Sequence, residues 1–246
     1  MSECKVAILC CNIDSGGGVE SVSKRLDSEL NLHGIHSKIY SLKASSSYSN
    51  SFAFNFNSGR LTESDKGRIC SVLREDCITH VVMQLNSPFA ICPLADIDLY
   101  DRLIGFSKIY TILHNSPLSF LSRYRAFSDN TLVFVLKWLK TKLLYAPLAK
   151  KFVNQCKNYS TFVSISNGNK QELKRFYGVD SILIPNCFNL AVSDEMVIAK
   201  KEHVIAYLGR IDYESKNFRL LLDSWKNVQR KGDWILKFVG NGDKSL

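Results

Sequence analysis

The sequence predicts an α/β fold: an N-terminal Rossmann-like doubly wound domain, followed by the first β–α–β of a second Rossmann-like domain. Three observations predict it. Short, fully apolar runs recur along the chain, as strands of a parallel sheet buried on both faces require. Segments with apolar residues at helical spacing separate these runs. Loops rich in Gly, Ser, Asn and Pro stand where the runs end. Strand and helix alternating in this way give βαβ units.

The elements follow in order. Lys5 to Cys11 is the first buried strand, and the loop Asn12-Ile13-Asp14-Ser15-Gly16-Gly17-Gly18 leaves it. A helix from Val19 to Leu32 carries Val19, Val22, Leu26 and Leu30 on one face, with Gly34 at its C-terminal cap. His36 to Leu42 is a second strand, and Phe52 to Phe56 a short third. Thr62 caps a helix reaching Arg74. Thr79 to Leu85 is a buried strand, 96–106 a short helix, and Lys108 to Leu113 a strand that exits at His114. Residues 118–157 are helical and basic. Thr161 to Ile165 is a strand, Asn169 to Tyr177 a helix stopped by Gly178, and Ser181 to Ile184 a strand stopped by Pro185. These elements make residues 1–190 one domain. Residues 191–202 have no period and form a linker. Residues 203–246 hold a strand, Val204 to Leu208, a helix starting near Lys216, and a strand, Trp234 to Val239. That helix places Phe218, Leu221, Leu222, Trp225 and Val228 on one face.

Composition narrows the class. The chain has 246 residues, 46% of them apolar, which allows one large domain or two smaller ones. No stretch approaches the roughly 18–20 apolar residues of a membrane span. The N-terminus runs directly into a strand and has no secretory pattern, so a cytoplasmic protein is expected. The eight cysteines form no C-x-x-C pair and sit partly within apolar runs, which fits reduced thiols and gives no zinc spacing. The net charge of +9 is concentrated: residues 102–151 carry nine Lys or Arg against one acid, Asp129. A field of this kind suits an anionic partner, and a merely solvated basic face is the alternative. The aromatic and basic interleaving of nucleic-acid modules is missing, so no nucleic-acid partner is expected.

Several motifs stand at strand exits. In the Gly16-Gly17-Gly18-Val19-Glu20 loop, glycines let backbone N–H groups approach a ligand; a tight turn is the plainer reading. A dinucleotide fingerprint fails, because Ser21 stands where its third glycine belongs and Ser41-Leu42-Lys43 lacks its acid. No P-loop lysine follows either. Glu20, in the first helical turn, complements the helix dipole. His114 could hydrogen-bond a ligand as a neutral imidazole or be a structural loop histidine. Arg210 leaves one strand and Lys216 enters the next helix, which is where open α/β sheets take ligands and where helix amides favour phosphate. Gly240 and Gly242 follow the last strand.

The block Tyr207-Leu208-Gly209-Arg210-Ile211-Asp212, then Lys216-Asn217-Phe218, then Phe238-Val239-Gly240-Asn241-Gly242, resembles the start of the donor-binding domain of GT-B glycosyltransferases. The match is nearest the retaining, family-4-like group. The Gly17-Gly18 loop, His114, Ser164-Ile165-Ser166-Asn167 and the hinge-like Ile184-Pro185-Asn186-Cys187-Phe188-Asn189 resemble family elements in the same order. The resemblance implies a GT-B type fold and transfer of a sugar from a nucleotide-diphosphate sugar to a glycan or lipid-linked hydroxyl acceptor, in surface polysaccharide or lipopolysaccharide synthesis. It implies His114 reaching toward the transferred sugar. It implies Gly17, Gly18, Arg210, Lys216, Gly240 and Gly242 lining the donor and its diphosphate, with no metal and no other cofactor. The family's Glu-x7-Glu motif has no counterpart here, and a C-terminally truncated donor domain is therefore expected. A truncated, non-catalytic relative that binds a membrane or a partner is the rival reading.

Thr131 to Leu148 mixes Leu, Val, Phe and Trp138 with Lys137, Lys140 and Lys142, and Arg123 and Arg125 precede it. A basic helix carrying Trp and Leu suits an anionic bilayer surface, as a peripheral protein at the inner face of the cell membrane would need. A core-packing helix with a solvated face is the alternative.

Overall fold

The computed structural model describes residues 3–15, 17–43, 48–56, 59–85, 92–114, 135–136, 139–186, 202–211 and 216–242, with the side chains of 141 and 142 excepted. The chain divides into two units, Met1–Leu121 with Lys137–Cys187, and Ser122–Leu136 with Phe188–Leu246. Each is described by itself.

In the first unit the apolar runs become the strands of one parallel sheet. They are β1 (Lys5–Cys10), β2 (His36–Ser41), β3 (Ser51–Ala53), β4 (His80–Leu85), β5 (Lys108–Leu113), β6 (Ser160–Ser164) and β7 (Ser181–Leu183). Their order across the sheet is β3-β2-β1-β4-β5-β6-β7. The order reverses between β1 and β4, and it is at such a reversal, beyond the strand C-termini, that open α/β sheets form a ligand crevice. Connecting helices are α1 (Gly18–Leu32), α2 (Glu63–Glu75), α3 (Ile97–Ile104), α4 (Ala146–Cys156) and α5 (Asn167–Glu172).

Both sheet faces are packed. On one, Leu26 and Leu30 of α1 cover Val6, Ile8, Ile39 and Val82. On the other, Ile69, Leu73, Leu99, Leu103, Phe152 and Val153 meet Ala7, Leu9, Val81 and Met83. Polar ties set the helices in register. Asp27 of α1, buried, accepts from Ser37 Oγ at 2.6 Å and Tyr48 Oη at 2.7 Å. Lys66 of α2, also buried, pairs with Glu63 at 2.5 Å and with Asp98 of α3 at 2.7 Å.

Local chemistry fixes the boundaries. Thr62 caps α2 with a full capping box through Asp65. Gly178 ends the helix after α5 in the left-handed region, φ 68°. β3 stops at Ala53 rather than Phe56, because Asn55 takes φ 59°. The fourth helix is preceded by a π-turn, Thr141–Tyr145, and carries Pro147 in its first turn. The wider turn accommodates a proline that can neither donate its N–H nor approach the preceding carbonyls.

The second unit holds β8 (Val204–Leu208), α6 (Phe218–Asn227) and β9 (Ile235–Val239), with the two strands parallel. The helix begins two residues beyond Lys216, because Asn217 adopts φ 52° and caps it, accepting from Leu220 N–H. Phe218 is buried edge-on against Tyr207 and Phe238, with ring centroids 4.8 and 5.1 Å away. Val228, expected on the helix face, lies just past its end and is 42% exposed.

Candidate functional site

The crevice at the β1/β4 reversal gathers four residues of the first unit. β4 brings Gln84, which stands beside Ile112 of β5 in register. His114 follows two residues later on that strand, so it shares the sheet face of Ile112 and Gln84. The α1 helix begins over the same face, with Gly17 as its N-cap and Glu20 in its first turn.

The contacts are specific. His114 Nε2–H donates to Gln84 Oε1. Burial pushes the His114 pKa down to about 4, with the negative charge of Glu20 pulling the other way. The ring is therefore neutral near pH 7, and with Nε2 protonated its Nδ1 is the acceptor. Glu20 is 5% exposed, although carboxylates are seldom buried without a purpose or a partner. Its charge also reaches Cys10, whose thiol burial pushes up to about 12. Gln84 is fully buried, and among the described residues its Nε2 has no hydrogen-bond partner.

Gly17 lies against the same carboxylate. A Cβ on Gly17 would stand 2.5 Å from Glu20 Oε2, whereas one on Gly18 would meet nothing within 4 Å. A side chain on Gly17 would therefore push the end of the Glu20 side chain out of its present place over the helix start. Upstream, Ser41 Oγ accepts from Ile13 N–H at 3.2 Å and fixes the chain leaving β1.

In the second unit the other predicted residues lie around the ends of β8 and β9. Arg210 and Lys216 are exposed. Ile211 N–H donates to Asn241 O at 2.9 Å and bridges Gly242, so the two strand exits run on together past the sheet. This approach explains both glycines. A Cβ on Gly240 would stand 1.7 Å from Gly209 O, and one on Gly242 1.9 Å from Ile211 O. Their need is thus met by backbone packing within the unit. Ser166, from the family-like element, caps α5 by accepting from Asn169 N–H.

Of the basic helical residues, Arg123, Arg125, Lys137 and Trp138 lie outside the described residues, as does the side chain of Lys142. Lys140 is exposed, with its ammonium 5.9 Å from the Tyr145 ring centre. Among the described residues no three His, Cys, Asp or Glu side chains gather as a metal site, and no helix is long and apolar enough to cross a membrane. Gln84 was missed by sequence reasoning. Its signal is one polar residue inside the otherwise apolar end of a buried strand.

No protein-family model matches the chain. Over 108 residues it is 35% identical to the amylovoran biosynthesis glycosyltransferase AmsD of Erwinia amylovora, a stretch covering 43% of this chain and 28% of AmsD. The structure of the lipopolysaccharide outer core galactosyltransferase WaaB is similar over 97% of this chain and 61% of its own, with TM-score 0.59 and 16% identity. The fold is similar to the one this structure has. A glycosyltransferase structure from Rickettsia africae agrees, with TM-score 0.58 and 12% identity over 99% of this chain and 69% of its own. In this glycosyltransferase fold, of the GT-B type, the described crevice belongs to the first Rossmann-like unit.

Proposed function

We propose that the chain acts as a retaining, family-4-like glycosyltransferase, moving a sugar from a nucleotide-diphosphate sugar to a hydroxyl acceptor in surface polysaccharide or lipopolysaccharide synthesis. The observation that carries this reading is a glycosyltransferase fold along nearly the whole chain. The partial identity to AmsD supports the same class. His114, neutral at physiological pH, would hydrogen-bond the sugar. Departure of the nucleotide diphosphate builds negative charge, and Arg210, Lys216 and the amides at the start of α6 would stabilise it without a metal. Gly240 and Gly242 would let the nucleotide come close to the backbone at the ends of β8 and β9.

Calorimetric titration with nucleotide-diphosphate sugars, paired with an assay of hydrolysis and transfer, tests the proposal. Binding with turnover is expected. A chain that neither binds nor turns over any of them overturns it.

A membrane-facing role at the inner face of the cell membrane is proposed beside it, on a separate observation. Leu143, Leu144 and Leu148 are 69%, 54% and 48% exposed on the segment that also exposes Lys140, Lys150 and Lys151. Exposed leucines among lysines suit an anionic bilayer carrying a lipid-linked acceptor. Sedimentation with phosphatidylglycerol vesicles, weakened by salt, is the expected result; equal pelleting with neutral vesicles would remove the electrostatic part.

A further inference from the structure

The feature of the crevice that the proposed roles leave unused is its pair of buried polar side chains, Gln84 and Glu20. We propose that they form a hydroxyl-recognition pair: Gln84 Nε2–H donates to one hydroxyl of a sugar ring, and the Glu20 carboxylate accepts from another.

The argument starts from Gln84. A buried amide N–H without a partner costs about 1–3 kcal/mol, and such groups are rare in folded chains. Gln84 is fully buried, and among the described residues its Nε2 is unpaired. Its other amide atom is held by His114, so the group cannot turn away to satisfy itself without giving up that bond. An amide flip would only exchange which atom is left over. The position is therefore supplied with a hydrogen-bonding atom that the described residues do not use.

Glu20 sets the chemistry of what can approach. Its carboxylate is buried over the first turn of α1, close enough for its charge to act on His114 and Cys10. It stands where a Gly17 side chain would be. The helix N-terminus thus faces a fixed negative charge, and a phosphate brought there meets like-charge repulsion rather than a bare dipole. A carboxylate is acceptor-only, a free amide N–H is donor-only, and a sugar hydroxyl can serve either. A neutral ring with neighbouring hydroxyls matches this set, and a diphosphate does not. Gly17 then serves the sugar indirectly, by leaving room for Glu20.

The inference rests on the glycosyltransferase reading only for which molecule carries the sugar, the transferred unit or the acceptor. The test uses the 246-residue chain with Glu20→Gln and Gln84→Met. Free glucose, free galactose, UDP-galactose and UDP are titrated, the free sugars by saturation-transfer NMR and the nucleotides by calorimetry. Circular dichroism and melting establish that each variant is folded. If either variant does not melt cooperatively, a second change at the same position replaces it, Glu20→Ser for the carboxylate or Gln84→Leu for the amide.

Each folded variant is expected to weaken sugar binding by about tenfold or more while leaving UDP unchanged. Loss confined to UDP-galactose assigns the pair to the transferred sugar, and loss confined to the free hexoses assigns it to the acceptor. Both support the inference. Folded variants that bind every sugar like the parent chain overturn it, as does a parent chain that binds none of the sugars. Tighter UDP binding by Glu20→Gln also overturns it, because the diphosphate would then lie beside the carboxylate. Sugar binding through the pair without any nucleotide-sugar binding or turnover would leave the inference standing and defeat the transferase reading instead.

Discussion

The two units are built from the same β–α–β grammar and differ in what covers their strands. In the first, residues such as Ala7, Ile8, Leu9, Val81 and Met83 have essentially no exposure, because helices pack on both faces of the sheet. In the second, the register places Val204, Ala206 and Leu208 beside Ile235, Lys237 and Val239, on the face away from Phe218. There Leu208 is 74% and Ile235 61% exposed. Equally apolar strands thus end in opposite environments. Apolar pattern determines that a strand forms, but burial needs neighbours, and buried area is what stabilises.

The contrast can be broken or sharpened experimentally. Phe218 is the side chain on which the aromatic contacts of the second unit converge, so Phe218→Ala should have the largest effect. A loss of about 3–5 kcal/mol is expected, with the second unit unfolding separately while the first still melts cooperatively. Segment-resolved hydrogen exchange checks it, and unchanged protection of β8 and β9 would sink the idea. Arg210→Ala or Lys216→Ala should spare stability but lower turnover about a hundredfold or more, if they stabilise the leaving diphosphate. Wild-type turnover in both would refute that role.

Acid should act first on the first unit. His114 has a folded pKa near 4, below the ordinary value of 6.5, so the unfolded state binds the extra proton first. The stabilisation is complete above about pH 6.5 and falls as pH drops toward 4. His114→Gln should flatten that stretch of the melting-temperature profile, and an unaltered slope would show that other groups cause it. Thr62→Ala removes the capping box of α2 and should cost about 1 kcal/mol in urea unfolding. The smallest effect is expected for Leu208→Lys, within about 0.5 kcal/mol, because the site is already open to solvent. A cost of several kcal/mol there would mean that this face is covered in solution.

Much of the fold could be read from local signals. The bounds of Lys108–Leu113 and Val204–Leu208 agree with the apolar runs, and Thr62, Gly34 and Gly178 marked helix ends through capping chemistry. At two of the places where the reading slipped, one backbone angle decided. Asn55 shortened β3, and Asn217 delayed α6 by two residues, both through positive φ, which asparagine tolerates but does not announce. The site was half legible. His114 and the Gly17 loop stood out as unusual residues at strand exits. Glu20 had a sufficient local explanation in the helix dipole, and Gln84 sat inside an apolar strand.

The sequence by itself therefore determined the alternation of strands and helices, their caps, and the residues at the strand exits, because these depend on near neighbours along the chain. Only the tertiary structure decided the strand order, which puts the reversal between β1 and β4. It alone brought Gln84 to His114, thirty residues apart. It also put the end of the Glu20 side chain where a Cβ on Gly17 would stand. Those outcomes depend on which strands pair and what then becomes buried, and desolvation at that place is what gives an amide and a carboxylate their chemical meaning.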